Sequence, residues 1–549
     1  MNTLLVKRHR LVVAALIMVL VFALGLSACG PADEDPDPAN GDPVAGGTAN
    51  LALWSSPNTF IEYFSLGNHA IAPARLIYSS LMRMNADGEF VPDLAETWDI
   101  SDDALEFTFY LNPNATFHDG EPVTAHDVKF TFEAIAHADW QGSRTSDMMF
   151  IAGAEAYHEG NADSIEGIQV PDDHTLVLTL EQVYAPFLER IYFMSILPEH
   201  LLGDEDVALL DETDFAMRNP VGSGAFELSE YRTGEYIELI AHENFHLEGP
   251  HLDSVIIYIL DQEVGIAQLE TGELDGILSH YASGISPDYV DRLQALSHIE
   301  MDMPAGGSMR KIVVNHDRAP MNDARFRQAL SHAFDREGFV AAVLRGYGEP
   351  ATAPLAPGNP FLHEMDYHPY DPDKARQLLE DMDYDFDQTL LFLTSDSEER
   401  QQIAELAQEW WGEIGVKIEI QMFDFPTMLG MVTAGDYDLA AMGYTTPTGE
   451  PDAVLTNTLH SRDASPAGWN FSRVRIPEID EHLDNARVEA DFDARRDHYV
   501  ELQKILPEHT PEIYLAIGMA ISARNVRLQN AEDHLYFRTQ NPHEWRIVE

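Results

Sequence analysis

The chain has 549 residues, with 33 Lys and Arg against 93 Asp and Glu, a formal net charge of −60. A hydrophobic fraction of 45%, including 26 Phe, 20 Tyr and 7 Trp, excludes disorder over the whole length, and the length exceeds one compact core, so two or three domains are expected. The acidity excludes nucleic acid as a default partner and argues against adsorption to an anionic membrane surface, and the single cysteine excludes an intrachain disulfide and any cysteine-based metal site.

Only six of the cations are lysines, namely Lys7, Lys129, Lys311, Lys374, Lys417 and Lys504. Such a surface repels itself in dilute buffer, and salt screens the repulsion. The expected reading is halophilic adaptation. The alternative, a single site for a cationic ligand, would cluster the carboxylates, and these are spread along the whole chain.

At the N-terminus Lys7, Arg8 and Arg10 precede an uninterrupted apolar run over 11–26. The run is shorter than the roughly 20 residues of a spanning helix, and a cationic head with a short apolar run is the layout of a secretory signal. Its end, Leu26-Ser27-Ala28-Cys29-Gly30, resembles the bacterial lipoprotein box. That likeness implies cleavage of a signal peptide at 1–28 and lipid attachment at Cys29, the only cysteine; a plain signal with an incidental cysteine is the alternative. Residues 29–47, rich in Pro, Asp and Gly, read as a disordered acidic tether. The body is expected to start near Thr48 and, lacking a second run of spanning length, to stand outside the membrane.

Along the body, strand-like runs occur at 49–54, 107–111 and 175–180, the last alternating Thr with apolar residues. Gly234-Glu235 between 226–231 and 236–241 predicts a hairpin. Asp371 is placed to cap a helix with Pro372 at its first position. A strand at 390–394 is followed by Ile403, Leu406, Ala407, Trp410 and Ile414 at helical spacing, with Gly415 as a stop. A strand at 416–420, a short helix at 426–432 and a strand at 438–444 complete a β-α-β-α-β unit, for which a right-handed parallel arrangement is expected. Ligands of such sheets bind at the carboxyl ends of strands, which makes the segment just after Tyr444 a site candidate.

No catalytic constellation stands out. Gly222-Ser223-Gly224 is not a nucleophile elbow, and no phosphate loop is present. His363-Glu364 is followed by His368, one residue too late for a zinc-binding HExxH. A turn with Asp119 and Gly120 accounts for His118 as well as a site does. No cofactor and no metal site is expected.

Residues 94–132, LAETWDISDDALEFTFYLNPNATFHDGEPVTAHDVKFTF, resemble the signature region of the family 5 extracellular solute-binding proteins of ABC transporters, the dipeptide, oligopeptide and nickel-binding group. In family order, NPVGSGAF at 219–226 is similar to its NPVGTGPY turn and LETGELD at 269–275 to its LxSGEID segment. DARFRQALSHAFDR at 323–336 and YDPDKA at 370–375 resemble its DVRVRQALSYAIDR and YDPEKA segments. The resemblance covers 48–549 and implies a two-lobe α/β periplasmic-binding-protein-like fold (type II, cluster C). Lobe I would comprise 48–81, 222–309 and 525–549, with an insertion subdomain at 82–221, and lobe II would comprise 310–524.

What the resemblance implies for function is a substrate-binding lipoprotein of an ABC importer. It would capture a small peptide between closing lobes and deliver it to the permease, as a monomer held on the outer face of the cell membrane, in the periplasm or outside the cell. The family's peptide binders use a Gly-Trp-x-x-Asp segment whose Asp pairs with the peptide's amino terminus. Here Gly443, Tyr444, Thr445, Thr446 and Pro447 stand in its place, so Tyr444 replaces Trp, and Pro447, which pairs with no ammonium, replaces Asp. Glu450 and Asp452 are candidates to reach the amine instead, with an ordinary acidic loop as the alternative. Trp54, Ser55 and Ser56 are expected to line the cleft from lobe I, with Trp54 as a core aromatic as the alternative. A nickel chelate, glutathione, an opine or an oligosaccharide remain alternative solutes. A surface-anchored hydrolase or an adhesive lipoprotein would belong to another class.

Overall fold

The computed structural model describes residues 46–548 except 66–67, 86–87, 279–283, 305, 366, 447–448, 466–467 and 533–540. Cys29, the tether up to residue 45 and Pro447 therefore lie outside the described residues; Gly46 and Gly47, expected to end the tether, are instead bonded into the body, donating to the His251 carbonyl at 3.1 Å and to the Asp253 carboxylate at 2.9 Å. Within the described residues, two large sheets, of seven and six strands, form the centres of two lobes.

In the seven-stranded sheet, strand Thr48–Leu53 runs parallel to Ser254–Ile259 on one side and to Gly276–Ile277 on the other. Its side chains alternate: Ala49, Leu51 and Leu53 enter one core, and Ala52 enters another with Ile266, Leu269 and Ala523. Two-sided burial explains why this strand reads as almost wholly apolar. The expected hairpin is present, Phe226–Arg232 paired with Tyr236–Ala241 and turned at Gly234, whose φ is +79°. A separate four-stranded antiparallel sheet takes Ala95–Ile100, Glu106–Leu111, Thr175–Thr179 and Ile168–Asp172. Its buried Phe109 and Leu176 share one continuous core with Leu51 and Val255 of the larger sheet.

The glycine-rich turn at 219–226 lies where the chain passes between these two sheets. A side chain at Gly222 would place its Cβ 2.0 Å from the Ile77 carbonyl oxygen, and Gly224 donates its N–H to that same carbonyl at 2.8 Å. His118 clamps the turn, accepting from Gly222 N–H through Nδ1 at 3.2 Å and donating from Nε2 to the Gly224 carbonyl at 3.1 Å. Burial, helped by the neighbouring His242, pulls its pKa down to about 3, so the ring stays neutral and serves packing.

The six-stranded sheet has the order Gly348–Pro350, Ile513–Met519, Gly307–Val314, Leu439–Thr445, Thr389–Ser395, Lys417–Phe423. The β-α-β-α-β unit forms as the pattern implies, with helices Glu398–Glu413 and Phe425–Ala434 between three mutually parallel strands. Asp371 caps helix Pro372–Asp381 by accepting from Lys374 N–H at 2.8 Å. The expected face of helix Glu398–Glu413, with Ile403, Leu406, Ala407, Trp410 and then Ile414, packs on the core of this lobe, and Trp411, which the spacing does not single out, is buried more deeply than Trp410. The buried positions are Ile403, Ala404, Ala407 and Trp411, and Trp411 donates its indole N–H to the Leu330 carbonyl at 2.9 Å. Trp410 sits at the margin, edge-on to Phe334 at 4.8 Å. The arginines of the DARFRQALSHAFDR segment act inside the fold. Arg327 donates to the carbonyls of Met321, Thr510 and His509, and Arg336 to those of Tyr514, Ser331 and His368. Each guanidinium thereby fastens its helix to the chain around strand Ile513–Met519, at a desolvation cost that lowers both pKa values to about 10.

The chain crosses between the two sheets twice. Strand Ile299–Asp302 of the first leads into Gly307–Val314 of the second, and Ile513–Met519 leads back into Ser522–Asn525 of the first. The crossings run side by side, Gly307 opposite Met519.

Candidate functional site: the cleft beside the crossing strands

Two connected cavities open next to these crossings. One, of about 380 Å³, has walls from both lobes, Ser286, Asp288 and Ile521 on one side and Arg310, Tyr347 and Glu399 on the other. The second, of about 440 Å³, lies over the six-stranded sheet and is lined by Met442, Gly443, Tyr444 and Thr445 together with Arg310, Glu399 and Arg400. Arg310, Ser397 and Glu399 belong to both. The second cavity sits at the carboxyl ends of Thr389–Ser395 and Leu439–Thr445, where parallel α/β sheets bind ligands.

The floor of this cavity is an unfinished strand. Leu439 and Ala440 pair with Phe392 and Leu393, and beyond Ala440 the strand has no partner on that side among the described residues. Its other side stays paired, Arg310 to Gly443 and Met309 to Tyr444. Gly443 is required by that closeness, since a Cβ there would lie 2.4 Å from the Met309 carbonyl oxygen. Tyr444 is half-buried, its hydroxyl donating to the Pro354 carbonyl at 2.6 Å and its ring 4.8 Å from the Lys311 ammonium. Thr446 exchanges bonds with Gly307, donating its N–H at 2.8 Å and accepting at Oγ1 at 3.0 Å. The strand end is thus tied to one of the crossings.

Of the residues expected in the site, Gly443, Tyr444 and Thr445 line the second cavity, and Thr446 is buried and lines neither. Trp54, Ser55 and Ser56 line neither cavity. Trp54 packs against Gly265 in the cluster that also contains Tyr347 and Met519, with its indole N–H buried and unpartnered. Ser56 accepts from Gly234 N–H at 3.0 Å.

Glu450 and Asp452 also line neither cavity, and both carboxylates have partners within the protein. Glu450 accepts from the Tyr499 hydroxyl at 2.7 Å and pairs with Arg495 at 3.1 Å. Asp452, on helix Asp452–Leu459, accepts from Thr456 at 2.8 Å and from the Tyr184 hydroxyl at 2.7 Å, and pairs with Arg487 at 2.9 Å. Tyr184 stacks on Phe150 at 3.6 Å, and Glu189 accepts the Glu450 backbone N–H through both oxygens, at 2.9 and 3.0 Å. These groups form a buried contact between the segment around residues 150–190 and the lobe of the six-stranded sheet, outside the lining of the two cavities.

The polar cavity residues that sequence reasoning missed include Arg310, Glu399, Arg400 and Tyr347. Arg310 and Glu399 form a two-point pair, Nε to Oε1 at 3.0 Å and Nη2 to Oε2 at 2.8 Å. A usable signal was the scarcity of cations: an arginine just past the end of a strand in so acidic a chain is worth marking. Among the described residues no group of three or more His, Cys, Asp or Glu is placed to hold a metal ion.

Two α/β lobes joined by paired crossing strands, with a polar cleft at the crossing, define a hinged solute-binding protein. The chain belongs to the bacterial extracellular solute-binding proteins, family 5, the substrate-binding subunits of ABC transporters, whose middle region matches residues 89–466. It is 25% identical over 531 residues to the oligopeptide-binding protein AppA of Bacillus subtilis, covering 93% of this chain and 94% of the relative. Among solved structures it is similar to the substrate-binding protein CtaP of Listeria monocytogenes, with a TM-score of 0.79, 25% identity and coverage of 92% and 100% of the two chains. It also resembles NikZ of Campylobacter jejuni in complex with Ni(L-His), with a TM-score of 0.75, 23% identity and coverage of 91% and 99%. The family is one of solute-binding proteins rather than enzymes, and it is extracellular or periplasmic.

Proposed function

We propose that the protein captures a peptide-like solute in the cleft, closes its lobes about the crossing strands, and delivers the solute to an ABC permease without covalent chemistry. The observation that carries this reading is the free strand edge at 441–445, opening on a cavity of about 440 Å³. Unpaired backbone there accepts a ligand chain as an added strand, which supplies sequence-tolerant hydrogen bonds. The oligopeptide-binding relative AppA agrees with it. A non-peptide solute is the second reading. It is favoured by the internal pairing of Glu450 and Asp452, which leaves neither carboxylate facing the cavity.

The test is mass spectrometry of small molecules released when the purified body, beginning near Thr48 and kept in high salt, is denatured. A ladder of short peptides supports the first reading. A single non-peptide solute or a metal chelate replaces it with the second. Tyr444→Ala should weaken binding of the released solute by about 1–3 kcal/mol through loss of a cavity wall; unchanged affinity in calorimetry would take this segment out of the site. We also propose a monomer, adapted to salt and tethered by lipid at Cys29. Cys29→Ser should move the protein from the membrane to the soluble fraction and abolish metabolic labelling with a fatty acid, and persistent labelling would refute the anchor.

A further inference from the structure

The buried contact between the two lobes is built so that its sides can part without stranding a charge. Each acidic group on the six-stranded side is neutralised from within its own lobe, Asp452 by Arg487 at 2.9 Å and Glu450 by Arg495 at 3.1 Å. Thr456 and Tyr499 of the same lobe each donate a further bond to these carboxylates, at 2.8 and 2.7 Å. The bonds that cross to the other lobe are of a different kind. The Tyr184 hydroxyl donates to Asp452 at 2.7 Å, the Ala185 N–H donates to the Arg487 carbonyl at 2.9 Å, and Glu189 accepts the Glu450 N–H at 2.9 Å. The stacked rings of Phe150 and Tyr184 lie 5.2 and 5.3 Å from the Arg487 guanidinium. No ion pair is among these crossing contacts. The fixed joints of the fold look otherwise: Lys311 and Glu512, buried within one lobe, pair at 2.6 Å and cannot separate without leaving a charge unpaired. Tyr184 and Phe187 belong to the core of the first lobe, and Leu455, Leu483 and Tyr499 to a core of the second, so the contact joins two separately packed bodies.

Resting on lobe closure as the mode of capture, we propose that this contact is a release latch: it makes and breaks with the lobes, and its strength sets how often they part. Parting returns a hydroxyl, two N–H groups and the Glu189 carboxylate to water, where each finds new hydrogen bonds, so the net loss per bond is small. The charges of the six-stranded side stay paired throughout. A sum of several small terms suits a contact that has to open in every cycle of capture and delivery. Tyr184 and Glu189 line neither cavity, so they act as positioning residues. Their partners Glu450 and Asp452 stand on the segment that follows strand Leu439–Thr445, the strand whose end floors the second cavity. Latch and cavity floor are thus neighbouring parts of one stretch of chain.

Hydrogen exchange of single backbone N–H groups, read by fragmentation mass spectrometry on the full chain, tests this without a solute. The Ala185 and Glu450 N–H groups bond across the contact, whereas those of Tyr192 and Leu455 bond within their own lobes, to the Leu188 and Pro451 carbonyls. In the wild type the crossing pair should exchange together and faster than the internal pair, because parting two lobes takes less free energy than unfolding either. Tyr184→Phe keeps the stacked ring and removes the bond to Asp452, and Glu189→Ala removes the acceptor of the Glu450 N–H. The informative readings are the remote ones, Glu450 in Tyr184→Phe and Ala185 in Glu189→Ala. Each should exchange about tenfold faster than in the wild type, with Tyr192 and Leu455 unchanged. Crossing groups that exchange no faster than the internal pair in the wild type would make the contact a fixed joint and overturn the proposal. Remote groups that do not respond to either variant overturn it as well. A mixed pool of free tripeptides to pentapeptides probes the solute side: where the wild type binds the pool, both variants should release it about tenfold faster, and release at the wild-type rate overturns the latch. A pool that the wild type does not bind counts against the peptide reading alone, and the exchange comparison then decides the latch by itself.

Discussion

Lys311→Met should destabilise the protein by about 3–5 kcal/mol. Lys311 is buried in strand Gly307–Val314, and its ammonium pairs with Glu512 at 2.6 Å under the ring of Tyr444. Burial draws the ammonium's pKa down and Glu512 holds against it. Glu512 has little else: Ser472 reaches the same oxygen at 3.4 Å, and Oε2 is buried without a hydrogen-bond partner. Removing the cation therefore leaves an uncompensated buried carboxylate. The double variant Lys311→Met/Glu512→Leu should recover most of the loss, since replacing both members of a buried pair with apolar groups is often neutral. Denaturant titration of the wild type, both single variants and the double variant checks this. A Lys311→Met loss under about 1 kcal/mol would contradict it. The same series reaches the cleft, because Tyr444 lies between this pair and the cavity.

What was legible in the sequence follows from the range of the interactions involved. Caps, stops and alternation are local: Asp371 bonds three residues ahead, and Gly415 with φ of +88° ends its helix. The glycines of NPVGSGAF stood out as a motif, and their cause, contact with Ile77, lies some 145 residues away. Trp410 and Trp411 fit a helical stripe almost equally well, and packing beneath Leu330 decides between them. The site was legible to the same depth. The rule for strand ends pointed to Tyr444, but the free edge depends on where pairing with Phe392 and Leu393 stops. Glu450 and Asp452 looked available because Tyr184, Glu189, Arg487 and Arg495 are not neighbours in sequence. Arg400 was missed because nothing local marks an arginine that faces a cavity.

The contact around Glu450 carries the second large effect, and it depends on pH. Burial pushes the Glu450 carboxyl up to about 7, against the opposing pull of Arg495 and the Tyr499 hydroxyl. Glu189, whose carboxylate accepts the Glu450 N–H, and Asp452 both add to the rise. The ordinary value in the unfolded chain is near 4.5. Below that value both states hold the proton, and the contribution to stability is fully present. Between about 4.5 and 7 the unfolded chain releases the proton while the folded protein keeps it, so stability falls as pH rises. At about 1.4 kcal/mol per unit, the fall due to this one group is on the order of 3 kcal/mol. Many other carboxylates titrate in so acidic a chain, so the quantity to measure is a difference. Glu450→Gln keeps an acceptor for Tyr499 and cannot ionise. Unfolding free energies of the wild type and Glu450→Gln at pH 5 and pH 8 should therefore differ in slope, the variant losing less on going to pH 8 by about 2–3 kcal/mol. Parallel losses would mean that Arg495 keeps Glu450 ionised throughout. The same backbone segment touches Glu189, and the neighbouring Asp452 holds Tyr184, so a contact weakened at high pH should be felt between the lobes. Solute retention should then weaken with rising pH in the wild type more than in the variant.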